Sequence, residues 1–176
     1  SDTSASRDGV GTIMKSPGFV HLRVHSAYSL LEGALPLKKI MAKAVSDAQP
    51  AIAITDTNNL FVALEFSEKA RDEGLQPIIG CQVSIDMQDA TDDKRAHNNL
   101  SKLPAIVLLA ADAAGYERLV DLISRAYLDG EGSGHSVSIA KSWLDEASNE
   151  GLIVLTGASG GPVDMALKEG HAAQAT

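Results

Sequence analysis

The feature that most constrains this chain is a succession of short apolar runs, each followed by a segment with helical spacing. Ala51–Thr55 (AIAIT), Pro77–Ile85 (PIIGCQVSI), Ala105–Ala110 (AIVLLA) and Leu152–Leu155 (LIVL) are each bounded by Pro, Gly or polar residues. Runs bounded in this way suit strands buried on both faces. Phe19–Val24 predicts a further strand ahead of them. Behind Pro36, a good first helical residue because its missing N–H would be unpaired there anyway, Leu37, Ile40, Met41 and Ala44 recur at three and four residues. They predict a helix to about Ala48. Leu60–Glu73 predicts a second helix, with Leu60, Ala63, Leu64 and Ser67 on one face and Gly74 as its stop. Asp112 is placed to cap a third, in which Tyr116, Leu119, Val120, Ile123 and Tyr127 recur. Ser138 is placed to cap a short helix through Trp143 and Leu144, and a last helix follows Gly160–Gly161–Pro162. The polar stretch 86–103 and the glycine-rich Gly130–Gly134 predict loops. Residues 1–18, rich in Ser, Asp, Thr and Gly, predict a mobile arm.

Strands that alternate with amphipathic helices define an α/β protein, with mostly parallel strands and helices outside them. Five parallel strands do not close a barrel comfortably, and no internal period points to a solenoid.

Charge and composition exclude several function classes. The net charge of −8 argues against a domain that grips nucleic acid directly, because phosphate binding needs clustered Lys and Arg. The nearest basic cluster, Lys38, Lys39 and Lys43, reads as the solvated face of one helix. The single cysteine, Cys81, excludes an intrachain disulfide and cysteine-clustered zinc sites, and its place in an apolar strand predicts an inert packed thiol. No apolar run approaches the roughly 20 residues of a membrane span. The first residues carry no apolar secretory core, so the expected setting is cytoplasmic, without a membrane partner.

In parallel α/β folds chemistry gathers at the carboxyl ends of strands. There this sequence places His21, Arg23, His25 and Ser26 (HLRVHS), then Thr55, Asp56, Thr57 and Asn58, then Gly80, Cys81 and Gln82, and finally Thr156–Ser159. Alternation puts His21, Arg23 and His25 on one face of the first strand. A His25–Asp56 pair at strand ends is a starting point for a metal or acid–base site. By itself it reads better as polar residues satisfied in loop hydrogen bonds. His97, His135 and His171 read as surface histidines. Gly157-x-x-Gly160-Gly161 lacks the Gly-Lys-Ser/Thr ending of a phosphate loop, and Ser29-x-x-Glu32 has the spacing of a helix capping box.

Several runs together resemble one family. Residues 19–34 (FVHLRVHSAYSLLEGA), 53–60 (AITDTNNL), 76–83 (QPIIGCQV), 115–120 (GYERLV) and 151–157 (GLIVLTG) resemble, in order, the PHP (polymerase and histidinol phosphatase) domain. More narrowly, they resemble the PHP domain that opens the alpha subunits of bacterial replicative DNA polymerases of the polymerase III family. The resemblance implies a distorted (β/α)7 barrel, similar to a TIM barrel, with a metal cleft at the carboxyl ends of its strands. Residues 19–176 would then hold the first five strands and stop before the barrel closes. The edge at Leu152–Leu155 would be left open, and the protein marginally stable and prone to associate.

Family members with an intact cleft hydrolyse phosphoesters with bound metal ions, some as 3′→5′ exonucleases. Their His-x-His motif is Arg23-Val24-His25 here, their Thr-Asp-His is Thr55-Asp56-Thr57, and an expected glutamate is Gln82. Further ligands, including a late Asp-x-His, would lie beyond Thr176. The resemblance therefore implies a vestigial site at His21, Arg23, His25, Asp56, Thr57 and Gln82, with no metal, catalytic or cofactor-binding residue. A guanidinium is a permanent cation, and Gln and Thr bring no charge to offset an ion. Arg23 is expected to pair with a buried Asp56. The implied role is architectural: supporting the remainder of a polymerase chain, whose magnesium would sit in a separate palm domain, and docking a proofreading exonuclease subunit. DNA would be met only through that parent enzyme. The alternative is a metal-dependent phosphoesterase or 3′–5′ exonuclease with an atypical site.

Overall fold

The computed structural model describes residues 18–29, 33, 35–87, 103–130, 137–145, 150–168 and 170. Five strands are present among them: β1 (Ala51–Ile54), β2 (Gln76–Asp86), β3 (Ala105–Ala110), β4 (Ile139–Ala140) and β5 (Leu152–Leu155). Five helices accompany them: α1 (Leu37–Ser46), α2 (Ala63–Asp72), α3 (Ala113–Gly130), α4 (Lys141–Asp145) and α5 (Pro162–Lys168), the last preceded by a 3₁₀ turn at Ala158–Gly160. The strands form one open sheet in the order β1-β2-β3-β5, with β4 also pairing to β2. β1 and β4 run parallel to β2, whereas β3 runs antiparallel to both β2 and β5. The sequence expectation of parallel strands thus meets one reversed strand. No helical period separates β2 from β3, and without a crossover helix neighbouring strands pair antiparallel.

Helices α1, α2 and α3 cover one face. Ile52 and Ile54 of β1 meet Leu37, Ile40, Met41 and Ala44 of α1 and Phe66 and Ala70 of α2. Cys81, Val83 and Ile85 of β2 and Ile106 and Leu108 of β3 meet Leu119, Leu122, Ile123 and Ala126 of α3. The alternate residues Ala53, Val107 and Leu109, with Ile78 and Leu155 beside them, form a smaller cluster on the opposite face. This is the period-two pattern of a sheet with helices outside it. Two predicted helical faces shift. On α2 the buried positions are Ala63, Phe66 and Ala70, and Leu64 is 73% exposed. On α3 Tyr116, Val120 and Tyr127 lie partly in solvent. Asp112 caps α3 as expected, accepting from the Gly115 N–H at 2.8 Å.

Residues 19–24 do not form a regular strand. The His21 and Val24 carbonyls accept from Ala53 and Thr55 N–H of the β1 segment, three residues spanning two. Side chains complete the pairing: His21 N–H donates to Gln49 Oε1 and Val24 N–H to Thr55 Oγ1. The mismatch leaves no continuous ladder. β5 pairs only with β3 among the described residues, and Ile153 and Val154 are about half exposed. Of the expected arm, residues 1–17 lie outside the described residues, as do most of the polar loop, residues 131–134 of the glycine-rich loop, and His97, His135 and His171. Among the described residues no helix is long and apolar enough to cross a membrane.

Candidate functional site

Asp56 ends the β1 segment and is 2% exposed. Its carboxylate is held by neutral donors of the loop that follows the extended 19–25 segment. Oδ1 accepts from the Ser26 N–H at 2.6 Å and the Ser29 hydroxyl at 2.7 Å, and Oδ2 accepts from the Ser26 hydroxyl at 2.6 Å. Each hydroxyl is used twice: Ser26 Oγ accepts from the Tyr28 N–H and Ser29 Oγ from the Thr57 N–H. The loop winds tightly enough for Ser29 N–H to reach the Ser26 carbonyl and Gly33 N–H the Ser29 carbonyl. A Cβ on Gly33 would fall 2.0 Å from the Ser26 oxygen, so only glycine fits there. A carboxylate bonded by several donors can stay charged without a cation.

Thr57 and Gln82 sit side by side across a parallel bridge between strand end and β2. Gln82 Nε2 donates to Thr57 Oγ1 at 3.3 Å, Gln82 N–H donates to the Asp56 carbonyl, and Asn58 N–H donates to the Gln82 carbonyl. Cys81 is buried behind them. Its thiol donates to the Asp56 carbonyl at 3.1 Å, and burial pushes its pKa up to about 12. That is the inert thiol expected from sequence.

Arg23 departs from expectation. It lies exposed on the extended segment and donates from a guanidinium nitrogen to the Gly157 carbonyl at 3.0 Å, joining positions 134 apart in sequence. It does not pair with Asp56, whose two oxygens are bonded by the serine loop instead. Gly157 accepts that bond from a left-handed backbone (φ 78°), and a Cβ there would meet the Ala105 oxygen at 1.9 Å. The Gly157–Gly161 turn is thus an anchor for Arg23. His21 also leaves the site: its ring packs edge-on against Phe19, and its N–H bonds Gln49 just before β1. Ser29, read from sequence as half of a capping box, spends its hydroxyl on Asp56 instead; Glu32 lies outside the described residues. The structure therefore gathers Ser26, Ser29, Asp56, Thr57 and Gln82, with His25 adjoining in sequence. Among the described residues no three His, Cys, Asp or Glu side chains converge in a way that could hold a metal ion. Ser26 and Ser29 as partners of the carboxylate were the missed element. Their signal was a Ser-x-x-Ser spacing beside a strand that ends in a buried Asp.

An open α/β sheet with helices packed on one face and polar groups gathered at a strand end is the arrangement in which α/β domains carry sites at strand termini. The chain belongs to the PHP domain family, whose model matches residues 21–176. It is similar to the DNA polymerase III subunit alpha of Caulobacter vibrioides, with 42% identity over 160 residues, and of Escherichia coli, with 38% over 160 residues. The corresponding subunit of Buchnera aphidicola is 41% identical over 158 residues. These alignments cover 90–91% of this chain but only 13% of each relative, so the chain corresponds to a PHP portion of such a subunit. Among solved structures, an amidohydrolase from Chromobacterium violaceum aligns over 63% of this chain and 34% of its own, at 22% identity and a TM-score of 0.46.

Proposed function

We propose that this PHP domain serves a cytoplasmic replicative DNA polymerase as a metal-free structural module, supporting the polymerase chain and docking a proofreading exonuclease subunit. Polymerisation itself would use magnesium in a palm domain elsewhere in that parent enzyme. The observation that carries the reading is the Asp56 network. A divalent ion needs open lone pairs on anionic or imidazole ligands. Here both Asp56 oxygens are engaged by three donors, Thr57 and Gln82 bond each other, and Arg23, where the family places a histidine, is turned to the Gly157 carbonyl. The donor set does not suit a metal, and internal hydrogen bonds hold the strand ends together instead. The similarity to polymerase III alpha subunits supports the replicative setting, and the net charge of −8 suits a protein-binding role better than DNA gripping.

Two measurements test this. Elemental analysis after incubation with zinc or manganese and desalting is expected to find far less than one ion per chain. Size-exclusion chromatography with the proofreading exonuclease subunit from the same cells is expected to show a complex. One tightly held ion per chain overturns the metal-free part, and separate elution of the two proteins overturns the docking part.

A further inference from the structure

The bond from Arg23 to the Gly157 carbonyl joins the two margins of the sheet. Residues 19–25 lie outside β1, because Ala53 and Thr55 give their N–H groups to the His21 and Val24 carbonyls rather than to β2. Gly157 follows β5, which ends the strand order on the other side. From the 19–25 segment to β5 there are four strand spacings, which in a flat sheet amount to about 19 Å. That is far beyond the reach of one side chain. The sheet therefore curls until its margins approach at this end, and the guanidinium closes the gap with a bond of 3.0 Å.

The segment that Arg23 holds has little other anchorage. The 3₁₀ turn and α5 bury no side chain, and Val163 and Leu167 lie partly in solvent. Their hydrogen bonds are local: Gly161 N–H donates to the Ala158 carbonyl, Met165 N–H to the Gly161 carbonyl and Lys168 Nζ to the Ser159 carbonyl. The turn keeps one shape, since a Cβ on Gly157 or Gly161 would strike the backbone oxygen of Ala105 or Thr156. A segment that is bonded within itself and buries little against the core is the kind that opens as a unit, short of global unfolding.

We propose that Arg23 is a latch across the curled sheet: its bond to Gly157 holds the turn and α5, residues 157–168, against the opposite margin, and breaking it lets them open together while the sheet stays folded. The proposal does not depend on the setting in which the domain works. Amide hydrogen exchange, read by NMR on the 176-residue protein, tests it. In Arg23→Ala the amides of Gly161 and of Met165 to Lys168 are expected to exchange about fivefold faster or more, and those of Val83, Ile85 and Leu108 at their wild-type rates. Arg23→Lys, whose ammonium can still donate to the carbonyl, is expected to keep most of the protection. Lys168→Ala, which removes a bond inside the unit, is expected to leave Gly161 unchanged. Unchanged exchange at 161–168 in Arg23→Ala overturns the proposal, as does equal quickening throughout β2 and β3. So does a wild-type unit that already exchanges as fast as an unfolded chain. If Arg23→Ala does not fold, the bond supports the whole sheet and the proposal falls.

Discussion

Replacing Asp56 by Asn separates the charge of the carboxylate from its shape. An asparagine oxygen in the Oδ1 place can still accept from the Ser26 N–H and the Ser29 hydroxyl. The amide nitrogen then faces the Ser26 hydroxyl, which must stop donating and accept, although it already accepts from Tyr28. One bond to a charged acceptor is lost and two lose their charge assistance. At about 1.5–3 kcal/mol for a bond to a charged group, and with much of the geometry kept, the expected loss is about 2–3 kcal/mol. In a protein of this size that lowers Tm by about 4–12 °C. The double change Ser26→Ala/Ser29→Ala removes two of the three donors and leaves the carboxylate buried. It should cost more, about 3–5 kcal/mol, the usual consequence of stripping partners from a buried charge. Adding Asp56→Asn to that double variant should recover part of the loss. Urea unfolding followed by the fluorescence of the single tryptophan, Trp143, measures all four proteins. If Asp56→Asn lies within about 0.5 kcal/mol of wild type, the range of an unremarkable surface change, or if the triple variant is no better than the double, the carboxylate is not the hub described here.

Other changes separate further parts of the account. Arg23→Ala should cost about 1 kcal/mol in urea, because it removes one partly buried bond to the Gly157 carbonyl; a loss of about 3–5 kcal/mol would restore the idea of a buried ion pair. Gly115→Ala puts a Cβ 1.8 Å from the Gly151 oxygen and should destabilise by at least about 1–3 kcal/mol, read as a lower Tm by calorimetry. Cys81, with its pKa raised to about 12 by burial, stays protonated at pH 8, so a thiol reagent such as Ellman's should label it only after urea unfolds the chain. The same shift makes stability fall as pH rises from the unfolded value of 9.0 towards about 12. Fast labelling of the folded protein at pH 8 would place the thiol at the surface.

The apolar runs made four of the five strands legible, because burial on both faces leaves an unbroken hydrophobic signature. β4 was missed, since two residues, Ile139 and Ala140, carry no period. Phe19–Val24 had the composition of a strand but not its ladder, because Thr55 and Gln49 side chains stand in for backbone partners. The direction of β3 was implicit in the polar sequence before it, which carries no helical period, yet the alternation of the other elements favoured a parallel reading. At the site, Asp56, Thr57 and Gln82 were named from sequence and come together. Arg23 and His21 were named with them and do not, because strand alternation fixes a side of the sheet but not which acceptor a long or flexible side chain finds. Ser26 was named at the strand end but not as a partner of Asp56, and Ser29 was overlooked because Ser is so often a helix cap that Ser29-x-x-Glu32 had a sufficient local explanation.

From Cys81 onward the amides of β2 divide by parity. Ile85 N–H donates towards β3, to the Pro104 carbonyl, whereas Gln82 and Ser84 donate the other way, to the Asp56 carbonyl and the Asn58 side chain. One strand thus reports two events to solvent deuterium. The odd-numbered amides face a strand partner and should exchange only when the sheet itself opens. Those of Gln82 and Ser84 should exchange whenever residues 56–58 let go, a smaller and more frequent fluctuation. Slackening the serine–aspartate clasp would then quicken the amides of Gln82 and Ser84 and leave those of Cys81, Val83 and Ile85 at their old rate, a zigzag in protection that no change in global stability can produce.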